Sequence, residues 1–202
     1  MAKDNSKSAL VQMYASDEAR DNAEKTFICL GVARGGTSAV GGVMQRLGVQ
    51  MGENLTNNYE DLDFINKNQA HMRAAVEKRN EAHSVWGWKA PNAANYLEML
   101  LPSVRNPHLI VVFRDTVATM KAHVRWHNRS QQLAVHEIML QQQKNWFLLE
   151  RWQIPTALVS YEKAILAPEV FVPQMADFLS VPQPDAEGLQ GITEFLSPGS
   201  YK

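Results

Sequence analysis

Cysteine is almost absent from this chain. Cys29 stands alone among 202 residues, which excludes an intrachain disulfide framework and a cysteine-based zinc site. Neither sign of charge dominates: 20 Lys and Arg against 21 Asp and Glu leave a net charge of −1. The broad basic footprint of a general nucleic-acid binder is therefore missing, although a few local cations can still hold a small polyanion. Long apolar runs are missing too, none nearing the roughly 18 residues that span a bilayer. Met1 to Lys25 is polar and mixed in charge, without a signal-peptide core. With 45% apolar and 20% charged residues, the composition is that of an ordinary globular protein. A length near 200 fits a single core. The expectation is a cytoplasmic protein with neither membrane nor nucleic acid as partner, its oligomeric state left open.

What is present is a strand-and-helix alternation. Thr26 to Val32 is a short β-prone apolar run that ends at Ala33-Arg34-Gly35-Gly36, as a buried central strand does. Val40, Val43, Met44 and Leu47 then follow the i, i+3, i+4, i+7 spacing of an amphipathic helix. Ser84 to Lys89, Leu109 to Phe113 and Ala157 to Tyr161 read as further strands. Asn92 to Leu101, Gln131 to Trp152 and Pro168 to Leu179 read as helices. This order predicts an α/β fold: a three-layer sandwich around a mainly parallel sheet, opened by a P-loop-like strand-loop-helix. Residues 1–25 read as a polar N-terminal segment and 26–202 as one domain. Ligands of such sheets sit outside the carboxyl ends of the strands, so the loops after Val32, Trp88 and Phe113 are expected to lie together.

The first of these loops suits an anion. Helix N-terminal amides are unpaired and point outward, and the helix dipole favours negative charge there. Arg34 adds a permanent cation with a fork of donors, and Thr37 and Ser38 add hydroxyls. Gly31 and Gly36 have the spacing of a nucleotide P-loop, but Thr37 stands where its lysine belongs, which speaks against a magnesium-dependent nucleotide kinase. The same glycines also fit a tight turn with no ligand. Trp86 and Trp88 read as packing residues in preference to a platform for a base. His123 and His127 are spaced for one helix face without a third metal ligand. Together with Lys121, Arg125 and Arg129 they give a local positive cluster.

Four segments in order resemble the sulfotransferases that use 3′-phosphoadenosine 5′-phosphosulfate. Gly31-Val32-Ala33-Arg34-Gly35-Gly36-Thr37-Ser38 is similar to their phosphosulfate loop, and Trp86-Gly87-Trp88-Lys89-Ala90-Pro91 to the Trp-Gly-x-Lys-Asp-Pro segment of the bacterial and Golgi-type branch. Leu109 to Asp115 resembles the strand that approaches the donor's 3′-phosphate. Val159-Ser160-Tyr161-Glu162, Pro168 and Phe178-Leu179 resemble the closing pattern. The resemblance implies sulfuryl transfer to a hydroxyl or amine of a small-molecule or glycan acceptor, with the phosphosulfate as donor and no metal. It implies that Arg34 holds the phosphosulfate, that the amides of Gly35, Gly36, Thr37 and Ser38 cradle it, and that Lys89 is a second cation near the transferred group. Arg114 is then assigned to the 3′-phosphate. The family's serine eight residues beyond that arginine is Ala122 here, and Thr119 or His123 is the substitute. Asp of Lys-Asp-Pro is Ala90, and the histidine of cytosolic members is replaced by Pro91. Of the acidic residues Glu53, Glu60, Asp61 and Asp63, Glu60 is the choice for the base. Lys89 as a solvent-facing strand end, and Arg114-Asp115 as a local ion pair, are the readings that need no ligand. The departures also motivate an alternative function, a relative that binds an adenine nucleotide or a partner without turnover.

Overall fold

The computed structural model describes residues 8–197. Five strands form one sheet in the order β1-β5-β4-β2-β3: β1 Leu10–Met13, β2 Lys25–Leu30, β3 Val85–Lys89, β4 Pro107–Phe113 and β5 Thr156–Ser160. All neighbours run parallel except β1, which pairs antiparallel with β5 through Leu10 opposite Val159 and Met13 opposite Thr156. The helices are α1 Asp17–Asp21, α2 Thr37–Arg46, α3 Gln69–Ala82, α4 Leu97–Leu100, α5 Thr116–His127, α6 Gln131–Trp152, α7 Tyr161–Leu166, α8 Pro168–Leu179 and α9 Ala186–Leu196.

Alternation along the strands makes two cores and hence three layers. Phe27 and Cys29 of β2, Ile110 and Val112 of β4, and Ala157 and Val159 of β5 face one side, where α2, α8 and α9 cover them. Ile28, Leu30, Leu109 and Val111 face the other, under α3 and α6. Trp86 and Trp88 are fully buried there and stack with Phe64, whose ring lies 4.4 Å from that of Trp88. They are packing residues. Cys29 is sealed in the first core, and burial pushes its thiol up to about 12.

Several elements depart from the sequence expectation. Asn92 to Leu101 is no continuous helix: 3-10 turns at Ala93–Asn95 and Leu101–Ser103 flank the single turn of α4, and Pro102 sits inside the second turn. β5 stops at Ser160, and Tyr161 opens α7. Hydrophobic periodicity marks neither β1 nor α3. The first is four residues long, and the second buries only Met72, Val76 and Arg79. Beyond Pro182 and Pro184, α9 is capped by Asp185, whose side chain accepts from the Gly188 N–H at 2.8 Å, and it docks through Ile192, Phe195 and Leu196. Pro198, whose ring is equally unsuited to a helix interior, lies outside the described residues. Among the described residues no helix is long and apolar enough to cross a membrane.

Candidate active site

In chain order the sheet grows from β2 to β3 on one side and then to β4 on the other. The crevice above the carboxyl ends of these strands is therefore the topological switch point. Arg34 follows β2, Lys89 closes β3 and Arg114 follows β4, so parallel pairing brings the three cations to one edge.

The loop between β2 and α2 is held by its main chain. The Gly31 N–H donates to the Pro91 carbonyl at 3.1 Å, and the Gly31 carbonyl accepts from buried Asn145 Nδ2 at 2.9 Å. His123 Nε2 lies 2.7 Å from the Ala33 carbonyl, and Arg114 Nη1 donates to the Arg34 carbonyl at 2.9 Å. Arg34 itself sits in the left-handed region at φ 61°. Gly36 follows at φ 88°, and a Cβ there would stand 2.2 Å from Cδ2 of Tyr161. The other side of that ring problem is electrostatic, for the Arg114 guanidinium lies 4.7 Å from the Tyr161 ring centre. The Gly35 N–H is used within the loop, donating to the Val32 carbonyl at 2.9 Å. Those of Gly36, Thr37 and Ser38 donate to no described residue. Three outward amides therefore open α2.

Lys89 is not a solvent-facing strand end: its side chain is 1% exposed. Nζ donates to Glu60 Oε1 at 2.8 Å, the Asn58 carbonyl at 3.1 Å and Ser38 Oγ at 3.3 Å. A Cβ at Gly41 would meet the Lys89 stem at 3.3 Å, so glycine in α2 leaves the channel for the lysine. Burial lowers the Lys89 pKa, and the Glu60 carboxylate opposes that shift by charge and by hydrogen bond. Arg34 is lowered by burial and by the Arg114 guanidinium, with Glu60 pulling the other way. The Arg34 guanidinium lies 4.4 Å from the ring centre of Trp126, a largely exposed side chain on α5.

No family model matches the sequence, and no curated protein matches it. Solved structures do. Sulfotransferase STF9 from Mycobacterium avium superposes with a TM-score of 0.56 over 86% of this chain and 68% of that chain, at 13% identity. The sulfotransferase domain from the Synechococcus PCC 7002 olefin synthase superposes with a TM-score of 0.53 over 84% of this chain and 76% of its own, at 16% identity. The chain has the sulfotransferase fold. At such identity the likeness is one of fold, and it agrees with the α/β architecture that the strand-and-helix alternation predicts.

Within this sulfotransferase fold, Arg34, Gly35, Gly36, Thr37, Ser38, Lys89, Glu60 and Arg114 all fall at the one crevice. Thr37 is buried, and its carbonyl lies 3.9 Å from Cys29 Sγ. Thr119 is buried as well, with Oγ1 donating to the Asp115 carbonyl of its own helix at 2.9 Å. Arg114 and Asp115 form no ion pair: Asp115 caps α5 by accepting from the Ala118 N–H at 2.7 Å. Its own N–H donates to Glu162 Oε1 at 2.9 Å.

Other contributors escaped the motifs. Fully buried Asp61, next to Glu60, pairs with Arg79 Nη1, and Arg79 Nη2 reaches Asp63 Oδ2 at 2.8 Å. Tyr59, on the other side of Glu60, packs edge-on against Phe195 of α9 at 5.8 Å. The loop bearing Glu60 is thus pinned from both neighbours. Asn145 did carry a signal, a polar residue on the helix face of Ile138, Leu148 and Leu149. Arg79, in a mostly polar helix, carried none.

Proposed function

We propose that the chain binds a 3′-phosphoadenosine 5′-phosphosulfate donor at this crevice and transfers its sulfuryl group to a hydroxyl or amine of a small-molecule or glycan acceptor. The observation that carries the reading is the convergence of Arg34, Lys89 and Arg114 around three helix N-terminal amides with no partner among the described residues. Two orphaned atoms fit a polyanion as well: Nε of Arg34 and Nε of Arg114 are buried without hydrogen-bond partners. The donor presents sulfuryl on a phosphate leaving group, so the acceptor gains a bond to sulfur, the phosphate departs with the electron pair, and the acceptor proton needs a base.

Positioning and charge stabilisation are then the protein's main work. The amides of Gly36, Thr37 and Ser38 hold the phosphate end, and Arg34 neutralises charge growing on the bridging oxygen. Lys89 supplies a second, water-shielded cation beside Ser38. Arg114 binds the 3′-phosphate, its fork already oriented by the Arg34 carbonyl and the Tyr161 face. Glu60, held at Lys89, takes the acceptor proton.

Calorimetric titration with 3′-phosphoadenosine 5′-phosphate, AMP and ATP tests the donor site. Preference for the bisphosphate over AMP, lost in Arg34→Ala, is the expected result. Equal affinity for bisphosphate and AMP would remove the Arg114 assignment. The departures at Ala90 and Ala122 and the inward-turned Thr119 hydroxyl favour a second reading, a nucleotide binder without turnover. Bisphosphate binding with no sulfuryl transfer to any acceptor of a broad hydroxyl and amine panel would select it.

A further inference from the structure

We propose that the outer face of α6 is a two-fold interface between two copies of this chain. The helix is 22 residues long, and its inner face buries Ala134, Ile138, Asn145, Leu148 and Leu149. The opposite face is apolar where a solvated face should be polar. Leu133, Met139, Leu140, Trp146 and Phe147 are 40, 48, 43, 42 and 57% exposed. At about 100° per residue all five fall within a single half of the helix, together with exposed His136, Gln143 and Glu150.

The order of these residues identifies the occupant. A two-fold interface requires a self-complementary surface, in which residue i meets j and j meets i. The face has that symmetry about Gln143. An antiparallel copy crossing there sets the Met139–Leu140 pair against the Trp146–Phe147 pair of the second copy. The same crossing sets His136 against Glu150 at both ends and Gln143 against itself. A parallel copy would instead put Glu150 beside Glu150 and His136 beside His136. Neither side chain has a partner among the described residues, so each is free to donate or accept across the axis. Five large side chains left roughly half exposed amount to about 450 Å² per copy, or about 900 Å² for the pair before the polar flank is added. That approaches the ~1,000 Å² floor of specific interfaces. A patch of this size is comparable to the largest on a typical monomer, roughly 300–600 Å², and patches of that rank are often functional.

The test uses the full chain in sedimentation equilibrium across the micromolar range. A dimer is expected, weakened at least about tenfold by Phe147→Asp or by Glu150→Lys, and restored when His136→Glu is added to Glu150→Lys. Because Cys29 is buried, Gln143→Cys provides one reactive thiol on the axis, and mild oxidation is expected to link two copies. Leu133→Cys is not expected to link them, since its two copies stand about 30 Å apart in this arrangement. Cross-linking reads the geometry without removing any apolar contact, so it holds even where an aspartate disturbs folding. A chain that stays monomeric throughout overturns the proposal. So does a dimer indifferent to these variants, or one that Leu133→Cys links as readily as Gln143→Cys.

Discussion

Replacing Lys89 by methionine should separate folding from ligand binding. The lysine is 1% exposed, and its charge is held by Glu60, the Asn58 carbonyl and Ser38 Oγ. Its desolvation lowers the pKa, which says that the folded state tolerates the cation at some cost. Removing one member of a fully buried ion pair costs about 3–5 kcal/mol because it strands the other charge, whereas replacing both members by apolar groups is often neutral. Glu60, left behind, is 28% exposed and reaches water, which blunts the penalty for an abandoned charge. Lys89→Met is therefore expected to fall below that cost, losing no more than about 2 kcal/mol. On binding, Lys89 is expected to trade its longest contact, 3.3 Å to Ser38 Oγ, for a ligand oxygen; such a charged hydrogen bond is worth about 1.5–3 kcal/mol, so affinity for 3′-phosphoadenosine 5′-phosphate should fall roughly 10- to 150-fold. Thermal denaturation and calorimetric titration on the same preparation check both. A variant destabilised by more than about 3 kcal/mol with unchanged affinity would refute the reasoning and leave Lys89 as a structural cation.

Other outcomes follow from the same geometry. Asn145→Ala leaves the Gly31 carbonyl without its side-chain donor and should lose about 1–3 kcal/mol in denaturant unfolding, with weaker bisphosphate binding because the loop is its anchor. Gly36→Ala drives a Cβ into the Tyr161 ring at a positive φ; about 2–4 kcal/mol should be lost, as overpacking and left-handed strain combine, and wild-type melting would remove Tyr161 from the loop. His108 is buried between Phe27 and Phe178, and burial lowers its pKa from 6.5. The unfolded chain then takes up the proton first, so this contribution is complete above pH 6.5 and is lost as pH falls through the lower folded pKa. His108→Phe should flatten the acid side of the stability profile, measured as denaturant midpoint against pH.

Much of the scaffold was legible because its signals are local. β2 and β4 are continuous apolar runs, α6 and α8 have helical length and composition, and Arg34 and Ser38 stand at a strand-to-helix junction. Glu60 was legible only as one acid among four. Its distinction from Glu53, Asp61 and Asp63 arises because Lys89 comes back across the sheet to meet it, a contact 29 residues apart. Arg79 is similar: its partners lie 18 and 16 residues upstream, and no period encodes them. β1 was hidden for another reason. Its four residues draw stability from the ladder with β5 and from Gln174 of α8, whose Oε1 accepts from the Ala9 N–H at 3.2 Å. The failed helix at 92–101 shows the converse, since composition there permits a helix that Pro102 and the turn before it break up.

The clasp on the loop between β2 and α2 bears on how much sequence change that loop can absorb. Its holds on Gly31, Ala33 and Arg34 all grip main-chain atoms. Peptide groups are the same whatever side chain they carry, so replacements at Val32 or Ala33 leave every hold in place. A shape stored in this way outlasts the letters that first spelled it. The likeness to two sulfotransferase structures at 13 and 16% identity is likewise one of backbone, the part of the chain that such a clasp holds.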